Sequence, residues 1–284
     1  MQTTVIVTTV GGPWLGDQLA ALAGQTRAPD QLVVVNNGPQ AAVDAVVERW
    51  RSALPGLELV EDRSVAACGF ARNVGAAHAR HPGLLFLDDD DVVSPGYVAA
   101  MSESLDDHEI IAARIDLGRL NPSTLTARWG SMQTERPMEY HGFLPWVVGG
   151  ALGVRRENFQ EVAGFDTGFL AVEDTDLCWR IQLRGSAKVG FVPGATLSYR
   201  LRPRIRPAFH QARRWAFWEV ALYRRYRDLG MRPANQFRAP LRWSRPLLLM
   251  ARARCADDVV VAARALGACV GRVQGSVAHR VLFL

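Results

Sequence analysis

The sequence predicts an α/β fold: a mostly parallel central sheet flanked by helices, followed by a helical C-terminal extension. Three observations predict it. Continuous apolar runs alternate with amphipathic stretches through the first hundred residues, turn residues close several of the runs, and composition and charge change together near residue 200. Apolar runs without alternation mark strands buried on both faces, as in a parallel sheet covered by helices. With 284 residues, 49% apolar and 21% charged, the chain can bury a full core and is not of disordered composition.

The elements follow in order. Residues 3–9 are β-branched and apolar, Gly11-Gly12-Pro13 breaks the chain, and 14–23 have helical spacing. A second strand at 31–35 ends in the turn signal Asn36-Asn37-Gly38-Pro39. Residues 41–53 read as a helix, 57–60 as a strand, 70–79 as a helix, and 84–87 as a fourth strand running into four aspartates. A helix over 95–105 and a strand over 110–115 come next. Residues 121–143 read as loop with one short helix, and 147–154 are apolar around Gly149-Gly150. A helix over 173–184, a strand over 189–192, a long helix over 207–226 and two further helices around Gly271 complete the chain. Ligands of such sheets bind at the carboxyl ends of the strands, where Asn36–Pro39 and the aspartates both fall.

Charge divides the chain. Residues 1–199 hold 15 basic and 24 acidic residues, whereas 200–284 hold 18 arginines against Glu219, Asp228, Asp257 and Asp258. A basic end on an acidic body points to an anionic contact. Met1 leads straight into a strand, with neither the basic start nor the cleavage site of a signal peptide, and no apolar run is long enough to span a bilayer. Cys68, Cys178, Cys255 and Cys269 have no zinc-like spacing and read as reduced, mostly buried thiols. A cytoplasmic chain is expected, peripheral to the inner face of the membrane if the basic tail touches lipid.

Asp88-Asp89-Asp90-Asp91 is the most informative feature. Four adjacent carboxylates repel one another, and a hard divalent cation relieves that cost. A solvated acidic loop capping the next helix is the alternative, and the run by itself leaves both open.

The surrounding residues resemble glycosyltransferase family 2. Phe86-Leu87 followed by the aspartates, Pro95 and Tyr97 is similar to its strand–DxD–Pro signature. Ala71-Arg72-Asn73-Val74-Gly75 is similar to its Ala-Arg-Asn-x-Gly helix. Thr4–Thr8, Gln25, Pro29 and residues 33–38, Gly149-Gly150, Arg155-Arg156, Gly164-Phe165-Asp166 and Glu173-Asp174 match further elements in the family's order. The resemblance covers about residues 3–200 and implies a GT-A fold. It implies an inverting transfer of sugar from a UDP-, dTDP- or GDP-linked donor to a glycan or lipid-linked acceptor, with Mn2+ or Mg2+. Asp90 would ligate the metal, with Asp88 beside it at the metal or the ribose. Thr8, Asn37, Arg72, Asn73 and Asp89 would lie at the nucleotide, and Trp146, Gly149, Gly150 and Glu173 on the acceptor side. Many members carry Asp where this chain has Asn37. Some carry a metal-binding His after the last strand, where this chain reads Leu197-Ser198-Tyr199-Arg200; either two aspartates and the diphosphate suffice, or His210 reaches in from the tail.

Asp174 is the candidate general base, because a sugar hydroxyl is a poor nucleophile until its proton is taken. Trp146 suits either a sugar-stacking platform or the core, and Arg180, six residues past Asp174, reads as structural. The expected organisation is a catalytic domain over 1–200, its nucleotide-sugar half at about 1–105 and acceptor half at about 106–200, and a basic helical region over 201–284.

Two other readings compete: a sugar-nucleotide nucleotidyltransferase, and a non-catalytic carbohydrate-binding protein. The first needs a basic phosphate loop after strand one, and residues 10–13 carry no Lys or Arg. From Arg200 on, arginines alternate with Trp215, Phe217, Trp218, Tyr223 and Tyr226. That pattern suits an interfacial helix on anionic lipid or a helix packed on its own protein, and no nucleic-acid module is present.

Overall fold

The uninterrupted β-branched runs become the centre of the sheet. In the computed structural model, which describes residues 1–38, 42–140, 142–185, 187–233 and 239–284, strands β1 (Thr3–Thr9), β2 (Gln31–Asn36), β3 (Leu57–Glu61) and β4 (Gly83–Asp88) are parallel. Every residue of β1 and β2 is buried, as a sheet covered on both faces requires. Helices α1 (Leu15–Ala23), α2 (Ala42–Trp50) and α3 (Cys68–His78) connect them. Pro39, Gln40 and Ala41, at the end of the predicted turn and the start of the predicted helix, lie outside the described residues. Helix α3 sits close on the sheet, because a Cβ on Gly75 would lie 2.3 Å from Ile6 Cγ2.

The chain continues through β5 (Val92–Val93), α4 (Tyr97–Ser104), β6 (Ile110–Asp116), α5 (Ser123–Trp129), β7 (Met138–Glu139), β8 (Pro145–Trp146), β9 (Leu152–Arg155), α6 (Arg156–Glu161), α7 (Glu173–Arg184) and β10 (Val189–Ser198). The main sheet has the order β3-β2-β1-β4-β9-β6-β10-β5. Strand β9 runs antiparallel to both β4 and β6, so the sheet turns mixed beyond β4. One expectation changes here. The strand read at 189–192 continues to Ser198, since a register shift between Val192 and Thr196 absorbs Pro193-Gly194. Within the apolar stretch 147–154, Gly149–Ala151 form a 3-10 turn and β9 begins at Leu152.

The chain divides into two compact units. One comprises residues 1–119, 132–138 and 145–200, and the other residues 120–131, 139–144 and 201–284. The second unit is helical, with α5, α8 (Ile205–Tyr226), α9 (Ala239–Ala251) and α10 (Ala256–Ala278). The two final helices part at residues 252–255 and not at Gly271, which lies inside α10. Gly267, Gly271 and Gly275 form a stripe on α10 whose added Cβ atoms would lie 2.3, 2.2 and 2.7 Å from the carbonyl oxygens of Phe209, Arg213 and Phe217 on α8. Ala208, Ala212 and Ala216 supply a buried small-residue face on α8. Gly271→Ala should therefore lower stability by about 1–3 kcal/mol through overpacking. Exposed Leu266→Ala should change it by less than about 0.5 kcal/mol, both read by urea unfolding.

The aromatic residues of α8 are largely covered. Phe217 and Trp218 lie 5.0 and 6.0 Å from the His279 ring, and Tyr223 lies 4.8 Å from Phe283. This favours the packed-helix reading of α8 over an interfacial one. Cys178 and Cys269 are buried, but Cys68 and Cys255 are exposed, which corrects the expectation of mostly buried thiols. Among the described residues, no helix is long and apolar enough to cross a membrane.

Candidate active site

Parallel register sets the floor of the site. Thr8 of β1 pairs with Asp88 of β4, and Thr9 with Asn36 of β2, all at the carboxyl ends of the strands. Helix α3 brings Arg72 to the same point. Its Nη2 donates to Asp88 Oδ1 and its Nη1 to Glu173 Oε1, both at 2.8 Å, with the side chain only 4% exposed. A planar guanidinium can hold two carboxylates in fixed directions at once, which an ammonium cannot. Gly149 lies against it: an added Cβ would fall 2.4 Å from Arg72 Nη1. This contact leaves no room for a side chain at position 149. The Gly149 N–H donates to Asp174 Oδ2 at 2.8 Å, and the Thr175 N–H to Asp174 Oδ1 at 2.7 Å. Asp88, Gly149, Glu173 and Asp174 thus converge around one arginine.

The start of α7 is held under strain. Val172, just before Glu173, has φ +58°, a left-handed conformation costly for a β-branched residue. Burial raises both Glu173 and Asp174 above the ordinary carboxylate range; for Glu173 the neighbouring Asp174 adds to this, while Arg72 opposes it for both. Arg180 secures the helix, ion-pairing with fully buried Asp176 at 2.7 Å and donating to the Gly164 carbonyl. Its role here is structural.

The four aspartates do not face one another unrelieved. Asp88 is paired with Arg72, Asp89 accepts the Thr9 hydroxyl and the Gly12 N–H, and fully buried Asp91 accepts the Arg200 N–H at 2.8 Å. Mutual repulsion therefore does not by itself demand a cation, a correction to the sequence argument. Asp89 is pushed up to about 6 by burial, helped by Asp90 and Asp88. The donor set still fits a hard divalent ion, which takes one or two carboxylates and completes its shell with water and phosphate. Gly150 leaves the room: an added Cβ would fall 2.9 Å from Asp88 Oδ2. Among the described residues, no three His, Cys, Asp or Glu side chains are arranged to hold an ion by themselves.

Arg200 was missed as a site residue. Its Nε donates to the Asp90 carbonyl at 2.9 Å and its guanidinium lies 4.9 Å from the Trp14 ring centre, so a cation stands against the acid run. His210 is exposed on α8 of the other unit. Gln18 was also missed; fully buried, it bridges the Asp88 carbonyl and the Val93 N–H. A buried glutamine in an apolar helix was the signal available for it.

Two amides expected at the nucleotide are engaged with backbone. Asn73 donates to the Phe165 carbonyl at 2.8 Å and accepts its N–H at 2.9 Å, clamping the Gly164-Phe165-Asp166 turn. Asn37 donates to the Asp62 and Val65 carbonyls at 2.7 and 2.8 Å, which leaves only its oxygen for a ligand. A carboxylate there would meet two carbonyls without a donor. Asn37→Asp should cost about 1–3 kcal/mol in urea unfolding, less at low pH where the acid regains a proton to donate. Trp146 is buried at 8% exposure.

The sequence model of glycosyl transferase family group 2 matches residues 83–261, more than half of the chain. The chain belongs to this family. Among curated relatives of this glycosyltransferase-family chain is the pre-mycofactocin glycosyltransferase of Mycobacterium tuberculosis, 24% identical over 185 residues. The match takes in 62% of this chain and 38% of the relative, so the chain spans well under half the length of the curated relatives it matches. Among solved structures, the mannosyltransferase PcManGT from Pyrobaculum calidifontis, in complex with GDP-Man and Mn2+, aligns with TM-score 0.65 at 18% identity over 96% of this chain and 87% of that one. S. aureus TarS 1–349 in complex with UDP aligns with TM-score 0.54 at 15% identity over 96% and 90%. The likeness is one of fold, and the fold of this family member is GT-A.

Proposed function

We propose that the chain transfers a glycosyl group from a nucleoside-diphosphate sugar to an acceptor hydroxyl, with inversion at the anomeric carbon. The observation that carries this reading is the convergence of Asp88, Glu173, Asp174 and Gly149 on buried Arg72 at the carboxyl end of the strands. It sets an acid that suits a metal-bound diphosphate and an acid that suits proton abstraction in one constellation. Within it Asp174 is the general base, held by the Gly149 and Thr175 N–H groups and kept basic by burial. Asp90 and Asp88 hold Mn2+ or Mg2+, which when bound neutralises charge on the departing diphosphate. Thr8 and the Asn37 oxygen line the base pocket, with Asp89 and Arg72 close to the nucleotide. Gly149, Gly150 and Glu173 form the acceptor side, and the buried Trp146 packs behind it as core. Residues 1–105 serve the donor and 106–200 the acceptor, a glycan or lipid-linked hydroxyl. The GDP-Man and UDP named for PcManGT and TarS support the donor class.

Incubation with a panel of nucleotide sugars and manganese tests the reading. A nucleoside diphosphate should be released, and Asp90→Ala should lose manganese-dependent nucleotide binding by thermal shift. Release of pyrophosphate from a nucleoside triphosphate and a sugar 1-phosphate, with no nucleoside diphosphate formed from the nucleotide sugars, would favour a nucleotidyltransferase; nucleotide binding by Asp90→Ala equal to the parent would remove that residue from the metal site.

A further inference from the structure

Helix α9 presents an exposed apolar surface that has no part in the Arg72 constellation. Its inner side, with Pro246 buried and Arg242 and Leu249 partly covered, packs on α10, where Cys269 Sγ reaches the Arg242 carbonyl at 3.6 Å. Helical spacing puts Leu241, Leu247 and Leu248 on the outer side, and they are 66%, 73% and 49% exposed. Leucines left in water at adjacent positions of one helix face are a contiguous apolar patch, which marks an interaction site.

Arginines border this patch. Arg245 and Arg252 lie along one shoulder, where with Leu241, Leu248 and Leu249 they line a cavity of about 280 Å³. Trp243, 39% exposed, lies toward the other shoulder with Arg254 just beyond the helix end. Residues 239–254 contain four arginines and no acidic residue, and residues 200–284 hold 18 arginines against four acids. At 13 residues the helix is far too short to cross a bilayer, so an apolar face rimmed by arginine suits a helix lying flat at the interface.

We propose that α9 seats the chain on an anionic phospholipid surface, with Leu241, Leu247 and Leu248 among the acyl chains and Arg245 and Arg252 at the headgroup phosphates. The charge balance decides for lipid over a second copy of the chain, because like-charged arginine rims would oppose each other across a dimer. The inference is independent of the chemistry at Asp174.

Co-sedimentation of the full chain with vesicles tests it. The chain should pellet with mixed phosphatidylglycerol and phosphatidylcholine vesicles, far less with phosphatidylcholine alone, and less as salt rises. The double variant Leu247→Glu/Leu248→Glu should lose at least about tenfold in vesicle partitioning with an unchanged unfolding midpoint, both side chains being exposed. Arg245→Gln/Arg252→Gln should weaken binding to the mixed vesicles and abolish much of its salt dependence. Absence of binding at low salt would overturn the proposal, as would leucine variants that bind normally. A dimer split by the leucine variants, with no vesicle binding by the parent, would assign the face to a second copy instead.

Discussion

Arg72→Met should destabilise the fold by about 3–5 kcal/mol, the cost of leaving buried carboxylates without their counter-charge. Glu173 keeps only 10% of its side-chain surface and Asp88 30%, so Glu173 carries most of the penalty and Asp88 is partly relieved by water. The loss depends on pH, with a definite sign. A carboxylate whose folded pKa lies above its unfolded value is best accommodated when protonated, so the fold loses stability as pH rises from the ordinary carboxylate range through the raised one. Arg72 opposes that rise for Glu173 and Asp174, and its removal pushes the pair higher. Urea unfolding should therefore show a larger gap between Arg72→Met and the parent at pH 8 than at pH 5. Arg72→Lys should restore little, since one ammonium cannot reach Asp88 and Glu173 in two fixed directions. An equal gap at both pH values would mean that packing under Gly149 and over Phe165, not charge, is what the arginine supplies.

The parts read from the sequence are those decided locally. The runs at 3–9, 31–35 and 84–87 are apolar without alternation, so their burial on two faces followed from composition, and the aspartates fell at a strand end because β4 runs straight into them. Strand β9 was beyond local reading: four residues inserted antiparallel between β4 and β6 owe their place to partners far along the chain. The strand read to end at Val192 continues past Pro193-Gly194, because its pairing with β6 breaks between Val192 and Thr196 and then resumes. Gly271 looked like a break and is a contact, because glycine in a helix can serve close approach as well as termination. At the site, motif residues gave the constellation but not the bonding. The partners of Asp89 and Asp91, the Asn73 clamp on Phe165 and the Arg200 contact with the acid run are tertiary contacts, several of them made by backbone groups that no side-chain pattern encodes. The left-handed Val172 is likewise invisible, since valine is the residue type least expected there.

Asp174→Asn should lower kcat by about 10²–10⁴-fold while the donor still binds within a few-fold of the parent. The amide is close to isosteric and its one oxygen can still accept the Gly149 N–H, so the turn at 149–151 and the Arg72 cluster should survive, while the Thr175 N–H loses its acceptor. What disappears is the negative charge that takes the hydroxyl proton as the carbon–oxygen bond forms. The pH profile separates this from a structural effect. Burial raises Asp174, so the parent rate should climb with pH through a limb above the ordinary carboxylate range, the base being active only when deprotonated. Asp174→Asn should lack that limb. Glu173→Gln should keep that limb, because the Asp174 carboxylate and the Gly149 and Thr175 N–H groups that hold it remain. Were the limb to vanish in Glu173→Gln and persist in Asp174→Asn, the base would be Glu173, and Arg72 would then be holding the reactive carboxylate itself.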